Sequence, residues 1–275
     1  MKGTSKLRFI VSMFLALLII ITINHCQKND EKDEPPELPP VASILMDFSD
    51  FNNPGDTITK RKSVESYRNW GHAVGTVAFW NILATWTIGL PVMAYAEAFD
   101  QDPVYLGENS WQWSYEVTVS QVNYSAKLIS KRISNEEFTM KMMVTKSDPE
   151  GYEDFKWFEG TVRYDRTSAS WILYENPYNP NELISIDWEK DWEADTSVIT
   201  YTYIRPGAVE YGNFIEYRTT NDSPYDSYYT VSVLTNTVEI EWNSTTREGR
   251  IKNPMKFGDN EWHCWDENLM DISCQ

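Results

Sequence analysis

"WQWSYEVTV", residues 111–119, decides how the chain is read. Trp111, Trp113, Tyr115, Val117 and Val119 alternate with Gln112, Ser114, Glu116 and Thr118. Successive strand residues point to opposite faces, so this period of two predicts a half-buried strand. Downstream, "YSAKLIS", "EFTMKMMV", "FKWFEGTVRY", "SWILY", "LISIDW", "VITYTYI", "NFIEYRT", "YYTVSV", "TVEIEWN" and a weaker "GRIKN" continue the theme. Turn chemistry stands between them in "SDPEG", "NPYNPNE", "IRPGA" and "TNDSP". No helical segment separates these runs, so parallel crossovers are excluded. An antiparallel meander of about eleven strands is expected.

Upstream the text changes. Residues 67–99, "YRNWGHAVGTVAFWNILATWTIGLPVMAYAEAF", carry only Arg68 and Glu97 as charges. By length and composition this run could cross a membrane. Topology opposes that: with an outside anchor before it, one crossing would return the C-terminal domain to the cytoplasm. The alternative is a helix, or two joined near Leu90 where Pro91 removes a backbone donor, buried inside protein. A helix apolar nearly all round needs cover on nearly all sides. Gly71, Gly75 and Ala78 would allow a close backbone approach, or are low-volume filler. The aromatic face of the sheet needs cover too. The fold class expected is therefore mainly β with an N-terminal apolar helical segment, a strongly curved sheet or incomplete barrel packed around the helix. This layout resembles the open barrel with a helical plug of periplasmic lipoprotein carriers, in layout only and without a shared motif.

The first residues speak for export. Lys2, Lys6 and Arg8 precede the uncharged run Phe9 to Ile23, the n-region and h-region of a signal, and fifteen apolar residues are fewer than the roughly 20 of a spanning helix. Cys26 follows at the border, and "QKNDEKDE" and "PPELPP" come next. This border resembles a bacterial lipoprotein signal, although Asn24 and His25 stand where small residues are usual. The resemblance covers residues 1–35 and implies lipidation of Cys26. The lysine-plus-acid run is similar to the tether that sends some lipoproteins to the outer leaflet of the outer membrane. It implies an outer-membrane, lipid-anchored protein at the cell surface, with the periplasmic face as the alternative. An uncleaved signal anchor, or a leader with an incidental cysteine, remains the other reading. The organisation expected is a signal at 1–25, a disordered acidic, proline-rich tether at 26–45 and one β-rich domain at 46–275.

Composition narrows the partners. The chain has 24 Lys+Arg against 41 Asp+Glu, and removing residues 1–25 leaves 21 against 41, a formal charge of −20. Nucleic acid is excluded on this ground, since its affinity rests on cations. The acids are a solvated, solubilising surface. Cys264 and Cys274 are expected to form one disulfide in an oxidising compartment, worth about 2–3 kcal/mol by loop closure. Zinc on Cys264 and His263 lacks a second Cys/His couple. "WHCWDENLMDISC", 262–274, resembles the ending of other lipoproteins and carries no activity with it.

Catalytic motifs are absent from the sequence, and no cofactor is expected. His72 and His263 sit in no nucleophile elbow or metalloprotease pattern. "DWEKDWEAD", 187–195, invites a calcium or glycosidase reading, but it lacks a calcium-loop glycine. Asp187, Glu189, Asp191 and Glu193 share a parity that would face water. Trp111, Trp113, Trp188 and Trp242 are expected inside, and Trp262 and Trp265 are expected to pack over the disulfide. The function expected is that of a non-enzymatic binding domain for an apolar, glycan or protein ligand at the mouth of the sheet. A glycan-processing enzyme with dispersed carboxylates and a purely structural envelope component are the alternatives.

Overall fold

A computed structural model describes residues 34–51, 64–119, 121–147 and 151–274. Cys26, the signal and residues 27–33 of the expected tether lie outside the described residues. Fourteen strands form one antiparallel sheet in which each strand pairs with its sequence neighbours. They are β1 (Val104–Gly107), β2 (Ser110–Val119), β3 (Val122–Arg132), β4 (Glu137–Lys146), β5 (Tyr152–Arg163), β6 (Ser168–Asn176) and β7 (Asn179–Asp191). Then follow β8 (Thr196–Tyr203), β9 (Phe214–Thr219), β10 (Ser227–Val233), β11 (Asn236–Trp242), β12 (Gly249–Lys252), β13 (His263–Trp265) and β14 (Asp271–Ile272). The eleven expected strands are β2 to β12. The three not expected are short and lie at the two ends of the sheet, where two to four residues cannot display a period. β1 and β14 do not pair with each other, so the sheet is not closed.

Of the two alternatives at Leu90 the single helix is formed: α1 (Arg68–Glu97) runs through Pro91. A proline inside a helix costs about 3 kcal/mol, and Ile88, Pro91, Val92, Ala94 and Tyr95 are all buried here, so tertiary packing offsets that cost. The helix touches β2 near one end of the sheet and β12, β13 and β14 at the other. Its first backbone amides are capped from the far end of the chain: Arg68 and Asn69 N–H donate to the Asp271 carboxylate at 3.2 and 3.0 Å. A carboxylate there also meets the positive end of the helix dipole. Asn69 Nδ2 donates to Cys264 O at 2.8 Å. The Cys264 and Cys274 sulfurs are 2.07 Å apart, so the expected pair is formed, and its ring contains Asp271. A short helix, α2 (Pro254–Phe257), follows β12.

The expected enclosure of α1 by strands is corrected. Its inward side, with Trp70, Val74, Val77, Trp80, Ala84 and Ile88, is buried, but Trp86, Phe79 and Ile82 are 85, 60 and 59 % exposed. Much of the sheet's inner face is covered instead by residues 35–51, so the expected disordered tether to residue 45 is corrected as well. Pro36, Pro39, Ser43 and Ile44 are buried, as are Met46, Phe48 and Phe51. The physical reason is that "VASILMDFSDF" supplies apolar side chains while the sheet supplies polar aromatic tips. Trp171 Nε1 donates to Ser43 O at 2.9 Å, and Tyr201 OH donates to Ile44 O at 2.8 Å while accepting from Met46 N–H at 2.6 Å. Tyr229 OH donates to Asp47 O, Trp242 Nε1 to Asp50 Oδ2 at 2.8 Å and Tyr95 OH to Pro39 O at 2.6 Å. Burial raises the Tyr201 and Tyr229 phenol pKa, keeping both as neutral donors.

Two glycines make room for indoles on this inner face. Gly160 is paired with Trp171, and a Cβ on it would lie 2.5 Å from the indole and 2.2 Å from Ser170 O. Gly249 is paired with Trp265, and a Cβ there would lie 2.3 Å from that indole. In both places a strand glycine permits a close approach that no other residue allows.

Candidate functional site

Residues 35–51 and α1 cover much of the inner side of the sheet. A groove of about 820 Å³ crosses the opposite, solvent face over β1 to β7. Strand register builds its floor. One row runs Ser110, Lys131, Thr139, Thr161, Ser170, Asp187, each the direct cross-strand partner of the next. The neighbouring row runs Ile129, Lys141, Glu159, Ile172, Ser185. These residues share the parity opposite to the buried Leu128, Met140, Phe158, Trp171 and Ile186, so core formation places them outward.

The groove's charges are mostly internally engaged. Ser170 Oγ donates to Asp187 Oδ1 at 2.9 Å. Glu159 accepts from Lys156 Nζ at 2.5 Å and from Tyr174 OH at 2.6 Å. Partial burial pushes the Glu159 carboxyl up, but those hydrogen bonds, with the charges of Lys156 and Lys141, outweigh it and hold the carboxyl below its ordinary value. A general acid for glycoside cleavage needs the opposite shift. Lys131 lies 3.8 Å from Glu108, whereas Lys141 has no ion-pair partner among the described residues. Hydroxyls, the Lys141 ammonium, the Asp187 carboxylate and apolar Leu106, Ile129 and Ile172 are thus what the groove offers a ligand.

Asp187, Glu189, Asp191 and Glu193 are exposed, as their parity required, and only Asp187 lines the groove. Trp111, Trp113, Trp188 and Trp242 are buried. Trp265 is buried and donates to Arg247 O at 2.7 Å. Trp262 is half-buried under the Arg250 and Lys252 side chains, 4.3 and 4.7 Å from its ring. Among the described residues no three His, Cys, Asp or Glu gather as a metal site would require. The groove escaped sequence reading because its residues come from seven strands. Its one local trace is the polar parity of Lys131, Thr139, Lys141, Thr161 and Ser170.

His72 and His263 flank Phe257. His263 stacks on its ring at 3.7 Å and His72 meets its edge at 5.6 Å. His72 Nε2 bonds Asn253 Nδ2 at 2.8 Å, so the imidazole accepts and is neutral. Burial first, and the Lys256 charge second, lower its pKa from 6.5. The unfolded chain therefore takes up this proton first as pH falls, and stability declines with falling pH in the window below 6.5. Urea unfolding at pH 7.5 and 5.5 should show a smaller loss for His72→Gln than for the parent; equal losses would remove His72 from the account.

Comparison of the chain with protein-family models, with curated proteins and with solved structures finds no match in any of the three.

Proposed function

We propose that this chain is a lipid-anchored cell-envelope protein whose sheet is an incomplete barrel closed over residues 35–51 and α1, and whose domain binds a ligand instead of catalysing a reaction. The observation that carries the binding role is the pair of cross-strand rows under the outer groove. They bring together the hydroxyls of Thr139, Thr161, Ser170 and Ser185, the ammonium groups of Lys131 and Lys141, the carboxylates of Glu159 and Asp187 and apolar Ile129 and Ile172 over β2 to β7. Such a surface suits a hydroxyl-rich ligand of the glycan class, held by hydrogen bonds to Thr139, Thr161 and Ser170 and by Lys141. Catalysis by Glu159 is disfavoured by the downward shift of its carboxyl.

Anchoring through Cys26 at the outer membrane, with the cell surface as its destination, is supported by the signal and acidic tether in the sequence. It is also supported by the Cys264–Cys274 pair, which suits an oxidising compartment. Intact mass and lipid labelling of the expressed protein, beside Cys26→Ser, test the anchor.

For the groove, isothermal titration of the full chain with neutral and acidic oligosaccharides is the direct measurement. Binding that weakens about tenfold in Lys141→Ala and in Thr161→Val, roughly the 1.4 kcal/mol expected of one lost hydrogen bond to a charged or buried group, is the expected result. Absence of binding to either class of sugar would reject the glycan role.

A further inference from the structure

The exposed side of α1 is not scattered. Gly75, Phe79, Ile82, Trp86, Leu90, Met93 and Glu97 fall within about 80° of the helix circumference at 3.6 residues per turn. From Phe79 to Met93 the stripe is about 21 Å long at 1.5 Å per residue. No charged residue lies on the helix between Arg68 and Glu97. Phe79, Ile82 and Trp86 are exposed by more than half, and Met93 by 48 %. The inward side of the same helix is packed on the sheet and on residues 35–51, so this is the outer face of a docked helix.

We infer that this stripe is a membrane-docking face that lies in the headgroup–acyl boundary of the bilayer holding the anchor. The inference rests on the lipid-anchor reading above. Its first support is chain length. Only residues 27–34 separate Cys26 from Pro35, and eight residues span at most about 30 Å when fully extended. The domain therefore cannot leave the neighbourhood of its bilayer. Its second support is where that short tether joins. Pro35 and Leu38 line one cleft with Ala98 and Phe99, directly after the C-terminal end of α1. Glu37 pairs with Arg166 at 2.9 Å and Tyr95 holds Pro39, so the junction is fixed beside the helix. The tether thus joins the domain next to the C-terminal end of α1.

Size and composition favour lipid over a second copy. With side-chain areas of about 150–250 Å², the four exposed residues present on the order of 500 Å². That is short of the roughly 800 Å² per partner of a specific protein interface. A bilayer needs no matching surface, and Trp and Phe on an uncharged face are the residues of the interfacial belt.

The test uses the full lipidated chain in phosphatidylethanolamine–phosphatidylglycerol vesicles, with a nitroxide at Trp86→Cys or, as control, at the exposed turn residue Tyr178→Cys. Oxygen, which concentrates in lipid, should relax the label at 86 several-fold more than the label at 178, and water-borne nickel chelate should do the reverse. Equal accessibility at both positions overturns the proposal. So does protection at 86 that appears without lipid and rises with protein concentration, which marks a second copy. Intact mass of the same sample separates the two readings. A lipidated Cys26 with a water-exposed label at 86 rejects the docking face alone. An unmodified Cys26 with a lipid-exposed label rejects the anchor alone.

Discussion

A chain shortened to begin at Asn52 is expected to lose its cooperative unfolding transition, while one beginning at Pro35 keeps it. Residues 35–51 place Ile44, Met46, Phe48 and Phe51 against the sheet, each 5 % exposed or less. At about 1.5–3 kcal/mol per fully buried apolar side chain, the four account for roughly 6–12 kcal/mol, the same size as the 5–15 kcal/mol that keeps a domain folded. The deletion also strands Trp171 Nε1, Tyr201 OH, Tyr229 OH and Trp242 Nε1, whose acceptors all lie in the deleted segment. Near-ultraviolet circular dichroism with urea titration reads the outcome. A sharp transition at an unchanged midpoint in the shortened chain would show that the segment is dispensable. A chain that begins at Met46, the boundary expected from the acidic and proline-rich composition, should fall between the two.

Trp171→Ala should cost about 3–5 kcal/mol, the range for removing a large buried aromatic side chain. Trp171 is 1 % exposed, packs edge-on to Phe158 at 5.4 Å and holds Ser43 O. Trp171→Phe retains a ring and loses the hydrogen bond, so its cost is expected to be smaller. From the other side of the contact, Gly160→Ala should cost about 1–3 kcal/mol by overpacking. The upper end is expected because Ser170 O is backbone and cannot swing away. The two substitutions share one contact, so the double variant should cost less than their sum. Additive costs in equilibrium urea unfolding would show that the glycine is not there to seat the indole.

Much of this molecule was legible residue by residue. The alternation in "WQWSYEVTV" placed Trp111 and Trp113 inward, and each of the eleven alternating runs is a strand, because burying one face of a pleated strand needs no knowledge of its neighbours. The cysteine pair was legible because a single candidate pair remained. β13 and β14 were not, since three and two residues show no period; their paired residues lie within the ring closed by Cys264 and Cys274. Nor was the continuity of α1 through Pro91, where packing outweighs a local propensity. The groove, too, exists only once seven strands are in register. Lys141 and Glu159 are 18 positions apart in the chain and adjacent in the sheet.

By itself, then, the sequence determined an antiparallel meander, an apolar helical segment and an acidic surface, because periodicity and composition are properties of each segment alone. Only the tertiary structure decided which side of the helix is covered and that residues 35–51, in place of more helix, complete the core. A helix apolar all round holds no record of which face will meet the sheet. A short run such as "ILMDF" becomes core only when Tyr201, Tyr229 and Trp171 are present to hold its backbone.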